Sequence, residues 1–184
     1  VGKMTAGLEL TNSLKAKDKD VVFLATGQTG ICISGTGIPL DAFKVDYASG
    51  AVEEMVLKHK NNKYLIVEGQ GSLLNPGSTA TLPLMRGSCP TALVLCHRFG
   101  LEVVESETKI LVPPLDEVIS LNEQLVTSFN TFPKANVKAI ALDTRILDDN
   151  SAKNEINKLE EKLNLPVTDP VRFSAEKIAD VISN

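Results

Sequence analysis

Short apolar runs alternate along this chain with longer stretches in which apolar residues recur every three or four positions. The runs are VVFLAT (21–26), YLIVEG (64–69), TALVLCH (91–97), VKAIALD (137–143) and LPVTD (165–169). Nearly every side chain at their centres is apolar, which predicts parallel strands covered on both faces. Helical periodicity fills about 3–17, 47–60, 115–129, 151–164 and 174–184. In the fourth of these, Ile156, Leu159 and Leu163 share one face, Ser151 stands at the N-cap position and Pro166 lies just beyond the end. Strands alternating with helices predict βαβ units in an α/β fold, a doubly wound, mostly parallel sheet within a three-layer sandwich.

Three segments fit neither pattern: 27–43, 69–90 and 98–114, all read as long loops. The first two leave the carboxyl ends of predicted strands, where open α/β sheets place their ligands. The chain itself opens on VGKMT, which matches the end of a phosphate-binding loop, G-x-x-x-x-G-K-[ST], through Gly2 and Lys3. Helical periodicity begins at once after it, so Gly2 and Lys3 would present backbone N–H groups and an ammonium at a helix N-terminus, an anion site. Met4 stands where such loops carry the Mg²⁺ hydroxyl, and Thr5 follows about 100° further round the helix. A P-loop joins a strand to its helix, so a first strand is expected upstream of Val1, with residues 1–184 forming one P-loop α/β domain.

The strand ends supply the candidate chemistry. Glu68 closes YLIVEG ahead of two glycines and can act as a general base, orient an amine or bind Mg²⁺ with Thr5. His97 ends TALVLCH and titrates near neutrality; the second histidine, His59, lies on a lysine-rich helix that reads as solvent-facing. Gly27, Gln28, Thr29 and Gly30 suit close approach to a polar ligand or a plain turn. Gln70 and Ser72 belong to the second loop. Asp169, before Pro170, reads as a turn residue.

The 184 residues carry a net charge of -4. That leaves no basic excess for nucleic-acid binding. Cys32, Cys89 and Cys96 are odd in number and show no C-x-x-C spacing, which fits a reducing, cytoplasmic setting. No apolar run approaches the roughly 20 residues that cross a bilayer. No G-x-S-x-G elbow marks a serine hydrolase.

With VGKMT, ATGQTGICISGTGIPLDAF, VEGQGSLLNPG, LVLCH and LPVTDPVRF in this order, the sequence resembles the D-glutamate N-acetyltransferase family, formerly catalogued as a domain of unknown function. The resemblance spans essentially the whole chain and matches that family's C-terminal P-loop domain, with the Met after the lysine a family trait. It implies an N-terminal Rossmann-like domain upstream and allows a homo-oligomer. It also implies that Gly2, Lys3, Met4, Thr5 and the 27–30 loop hold acetyl-CoA, and that Glu68 or His97 accepts a proton from the amine of a small acidic amino acid. Such a substrate needs a cationic clamp, for which Arg86 and Arg145 are the candidates. More distantly, VGK with VEGQG resembles dethiobiotin synthetase and the cobyrinic acid amidating enzymes, which implies instead an ATP and Mg²⁺-dependent ligase or kinase with metal on Thr5 and Glu68. A non-catalytic nucleotide-binding module is the third reading.

Overall fold

The computed structural model describes residues 1–104 and 109–183. In chain order the elements are α1 (Lys3–Ala16), β1 (Val21–Leu24), α2 (Gln28–Ser34), a 3-10 turn (Leu40–Ala42), α3 (Val45–Lys58), β2 (Tyr64–Val67), α4 (Thr81–Ser88), β3 (Ala92–Arg98), α5 (Leu115–Thr127), β4 (Asn136–Asp143), α6 (Asp149–Leu163), β5 (Val167–Thr168) and α7 (Glu176–Ser183). The five predicted strands and five predicted helices are all present, the last helix ending one residue before the undescribed position 184.

All ladders are parallel, but they form two units. β1 pairs with β2 from Val21↔Tyr64 to Leu24↔Val67, and β3–β4–β5 form a second group with Ala92 opposite Asn136 and Ile140 opposite Val167. Helices cover both faces. On one, Ala6, Leu10 and Leu14 of α1 and Ile178 and Ala179 of α7 meet Val21, Ala139 and Ala141, with Ile66, Val94 and Cys96 packed against them. On the other, α3 and α4 cover β1 and β2 through Val52, Met55 and Leu84, while α5 and α6 cover β3 to β5 through Ile119, Ile156 and Leu159. Each fully buried leucine on these faces contributes about 1.5–3 kcal/mol relative to exposure.

The apolar runs predict full cover, and β4 has it. β2 and β3 do not: every residue of both is only half-buried, although their sequences are as apolar as those of central strands. Among the described residues, each pairs with a strand on one edge alone. The ladder between β3 and β4 also shifts register after Leu93, where β4 has Lys138 as an extra, exposed residue. That bulge keeps the ammonium in water between two buried neighbours.

Two helices were absent from the sequence pattern. α2 is a single short element ended by Gly35 in the left-handed region (φ 73), whose N–H bonds Ile31 O at 2.8 Å. α4 contains Pro83, but within the first turn, where the missing N–H has no intrahelical partner to lose. The α6 N-cap is Asp148 and not Ser151: its Oδ1 accepts from the backbone N–H groups of Asn150 and Ser151, each at 3.0 Å, and the Ser151 hydroxyl donates to Oδ2 at 2.6 Å. His59 is half-buried at the end of α3, with Nδ1 2.9 Å from Met55 O. Of the third expected loop, 98–114, residues 105–108 lie outside the described residues; around them Val104 N–H bonds Ile110 O and Val112 N–H bonds Glu102 O, both at 2.8 Å. No described helix is long and apolar enough to cross a membrane.

Gly87 lets α4 cross α3 closely, since a Cβ there would stand 2.7 Å from Val52 Cβ and 3.1 Å from Glu53 N. Gly87→Ala is expected to destabilise the protein by about 1–3 kcal/mol, read as a lowered urea midpoint; an unchanged midpoint would contradict this packing.

Candidate functional site

The carboxyl ends of β2 and β3 and the start of α1 open onto one cavity of about 950 Å³, whose wall at that end includes Lys3, Glu68, Gln70, Ser72, His97 and Arg98. Parallel strands bring these residues together from positions far apart in sequence, because all the strands end at the same edge.

Gly2 adopts the left-handed conformation (φ 68, ψ 28) that turns the chain into α1, where glycine alone carries no penalty. No side chain caps this helix and no acidic residue occupies its first turn, so its free N–H groups and positive dipole end stay available to an anion. The Lys3 stem lies against Gly69, where a Cβ would come within 3.0 Å of Lys3 Cδ. Gly69 therefore makes the room that the lysine uses. Met4 and Thr5 are half-buried in the same turn and are not part of the cavity wall.

Glu68 is only 7% exposed. Its Oε2 accepts from Thr26 N–H at 2.9 Å, and the Thr26 hydroxyl donates to Glu68 O at 3.0 Å. This pair of bonds locks the ends of β1 and β2 together and aims the carboxylate. Gly30 is the residue that leaves it space, for a Cβ there would lie 2.7 Å from Oε2. Gly27 sits beside Oε1 and the Gln70 amide, while Gln28 and Thr29 are exposed, with Gln28 Nε2 3.5 Å from Asp41 Oδ2. The loop after Glu68 is tied to itself: Ser72 N–H donates to Ser78 Oγ at 3.0 Å, and the Thr81 hydroxyl donates to Gln70 O at 3.0 Å. Gln70 and Ser72 are thus held at the rim by backbone geometry.

His97 is half-buried at the end of β3. Burial holds its imidazole below the usual range, and the adjacent Arg98 guanidinium acts in the same direction. It is thereby kept neutral and able to accept a proton near pH 7. Beside it, burial pushes the Cys96 thiol up to about 11, against the pull of Lys3, so this cysteine is not a ready nucleophile.

Arg86 and Arg145 are not brought to the cavity wall. The Arg86 guanidinium lies 5.7 Å from the centre of the Phe132 ring, and Arg145 Nη2 pairs with Asp143 Oδ2 at 2.6 Å. Arg98 is the arginine in that wall. Asp169 is a turn residue, as its position before Pro170 suggests: Oδ1 accepts from the backbone N–H groups of Val171 and Arg172 and Oδ2 from the Thr144 hydroxyl at 2.6 Å. Among the described residues, no three His, Cys, Asp or Glu side chains gather as a metal cluster. Thr26 and Arg98 are the site residues that pattern reading passes over. A hydroxyl closing an otherwise apolar strand was the available signal for Thr26; Arg98 carried none, lying at the start of a segment read as loop.

Residues 1–179 match the family model described as "Domain of unknown function (DUF1611_C) P-loop domain". A D-glutamate N-acetyltransferase of Tritonibacter scottomollicae is 32% identical over 184 residues, 100% of this chain and 55% of that protein. Another, from a Pseudoalteromonas species, is 33% identical over 97% of this chain and 53% of its own length. The chain thus spans about half the length of these curated relatives. The crystal structure of a DUF1611 family protein from Anabaena variabilis ATCC 29413 superposes with a TM-score of 0.96 at 48% identity, over 100% of this chain and 54% of that one.

Titration of His97 tests this electrostatic picture. Its folded-state pKa lies below the unfolded value of about 6.5, so the unfolded chain takes up the proton first. The stability His97 allows is complete above that value and falls as the pH drops through the window below it, toward the folded pKa. A histidine NMR titration should show the His97 midpoint below about 6.5, and His97→Asn should flatten the acid-side loss of stability. A His97 midpoint at or above 6.5 would contradict it.

Proposed function

We propose that this chain, which belongs to the DUF1611_C P-loop domain family, is the P-loop half of an N-acetyltransferase acting on the amine of a small acidic amino acid with acetyl-CoA as donor. The observation that carries the reading is the convergence, at one strand-end cavity, of a lysine on an uncapped helix N-terminus with a fixed carboxylate and an imidazole held neutral. The names of the two relatives, D-glutamate N-acetyltransferase, point to the same chemistry and suggest D-glutamate as the amine.

The residues present fit the phosphates of coenzyme A. Lys3 makes no ion pair with any described residue, and its stem runs through space that any side chain at position 69 would take. Gly2 and the first N–H groups of α1 complete an anion cradle that works by charge and direction, with no hydroxyl needed after the lysine; Met4 is compatible with that role. Bound there, acetyl-CoA supplies the acyl carbonyl carbon that the amine attacks, with the thiolate leaving.

The chain's own side chains do the rest. An amine is nucleophilic only when neutral, and His97, held below its usual pKa, takes the proton. Glu68 Oε2 is committed to Thr26, so Oε1 is the atom left to accept a hydrogen bond from the amine and orient it. Arg98 takes the clamp role first assigned to Arg86 and Arg145, since a guanidinium in the cavity wall can hold the substrate carboxylate. An upstream Rossmann-like domain would complete the enzyme.

Assays on the full-length protein test this. Acetylation of D-glutamate should proceed with excess chelator present. His97→Asn should lower kcat by about 10²–10⁴-fold, and Arg98→Met should raise KM for an acidic amine more than for a neutral one. ADP release from ATP and Mg²⁺ without acetyl transfer would replace this reading with the ligase of the dethiobiotin synthetase type.

A further inference from the structure

Most glycines beside the site have a structural reason to be glycine. Gly35, Gly37 and Gly71 hold positive φ (73, 142 and 72), and a Cβ at Gly30 or Gly69 would stand 2.7 Å from Glu68 Oε2 or 3.0 Å from Lys3 Cδ. Gly27 has neither reason. Its backbone is extended (φ -131, ψ 156), which any residue adopts, and a Cβ there would meet only ordinary van der Waals contacts. Those contacts are the Gln70 side-chain amide, with Oε1 and Nε2 each at 3.9 Å, and Glu68 Oε1 at 4.0 Å. The glycine thus leaves open a niche about the size of a methyl group, walled by polar atoms of two residues that follow β2.

Both walls are fixed, and both carry free acceptors. Thr26 holds one side, its C=O accepting from Leu40 N–H at 3.0 Å while its N–H donates to Glu68 Oε2. On the other, the Thr81 hydroxyl donates to Gln70 O and anchors that main chain. Among the described residues, neither Glu68 Oε1 nor the Gln70 amide has a hydrogen-bond partner, and no buried side-chain N or O lacks one, so these atoms reach solvent. An anion in the niche would face the Glu68 carboxylate at close range, and an apolar group would strand two acceptors. A primary amine or ammonium answers both, because it has an N–H group for each. It needs to enter only about 1 Å beyond the missing Cβ to come within hydrogen-bond distance. Since the Gln70 amide atoms are equidistant, a half-turn of the amide presents its oxygen without moving the rest of the side chain.

We propose that this niche is the subsite for the acceptor amine, with Gln70 Oε1 and Glu68 Oε1 as its two hydrogen-bond acceptors and Gly27 as the residue that keeps it open. Under the acyl-transfer reading on which this rests, Glu68 alone orients the amine; Gln70 adds a second acceptor and Gly27 a size limit. Two acceptors fix the direction of the nitrogen lone pair, whereas one leaves the amine free to turn about a single bond. Recognition of the amine is then separate from recognition of the substrate carboxylate, which falls to Arg98.

Steady-state kinetics of the full-length protein with D-glutamate and with a neutral amino acid test it, for the wild type, Gly27→Ala and Gln70→Met. Gly27→Ala should leave the urea midpoint unchanged or slightly raised, since this backbone accepts alanine, and should leave acetyl-CoA binding unchanged. It should nonetheless raise KM for both amines about tenfold or more. Gln70→Met keeps the side-chain length, removes both polar atoms and should raise both KM values about tenfold as well. An equal effect on acidic and neutral amines separates this subsite from Arg98, whose loss falls on the acidic one. With D-glutamate acetylated by the wild-type protein, an unchanged KM in either variant would overturn the subsite and leave the acyltransferase reading standing. A rise confined to D-glutamate would overturn it by placing the carboxylate in the niche, and a lowered urea midpoint in Gly27→Ala would do so by making the glycine structural. Absence of transfer from acetyl-CoA to either amine in the wild-type protein would overturn the acyltransferase reading and the subsite with it.

Discussion

Ala6, Leu10 and Leu14 of α1 pack in a single cluster with Val21 of one half-sheet and Ala139 and Ala141 of the other, and among the described residues no backbone ladder joins those half-sheets. The stripe of one helix is therefore a principal direct link between the two parts of the molecule. Gly7 keeps it close, since a Cβ there would lie 2.7 Å from the Phe23 ring. Burial of this stripe, several kcal/mol at about 25 cal/mol per Å², also fixes where α1 begins. Its first turn must then stand at the carboxyl edge of the strands, with Lys3 over Gly69. Packing energy at the buried end of the helix is what positions the cation at its exposed end.

The side chains of Glu68 and His97 are held by different physics. Glu68 is fixed by hydrogen bonds, its Oε2 and its main-chain oxygen both engaged by Thr26. A buried carboxylate without such a partner would be costly. His97 has its character set by burial and by neighbouring positive charge, which favour the neutral ring. One group is therefore directional and the other ready to take a proton. Because they sit on opposite half-sheets, their relative placement rests on the α1 stripe that packs against both.

Much of the fold is legible in the sequence because strand and helix periodicities differ so clearly. The five apolar runs are strands, and Ile156, Leu159 and Leu163 do form the buried face of α6. What escapes the pattern is short or locally unusual. α2 and α4 lie in glycine- and proline-bearing stretches, and a proline in the first helical turn reads as a break although it costs nothing there. Asp148 outcompetes Ser151 as the cap because one carboxylate can accept from two backbone N–H groups and the serine hydroxyl at once. Strand-end logic for Glu68 and His97, and the Gly-Lys match for Lys3, lead to residues that line one cavity in the structure. Arg86 and Arg145 are drawn away by Phe132 and Asp143, neighbours that no spacing rule reveals. β2 and β3 read as fully covered strands from their apolar runs, and the structure shows every residue of both half-buried.

Under the proposed function, the Gly2–Lys3 start of α1 is a cradle for the phosphates of coenzyme A. Calorimetric titration of the full-length protein with acetyl-CoA in the absence of divalent metal, compared with Lys3→Ala, tests it most directly. Binding without metal that weakens at least tenfold in the variant, about 1.4 kcal/mol, is the result this account predicts. Binding of equal strength in both proteins, or binding of ATP with Mg²⁺ in place of acetyl-CoA, would contradict it.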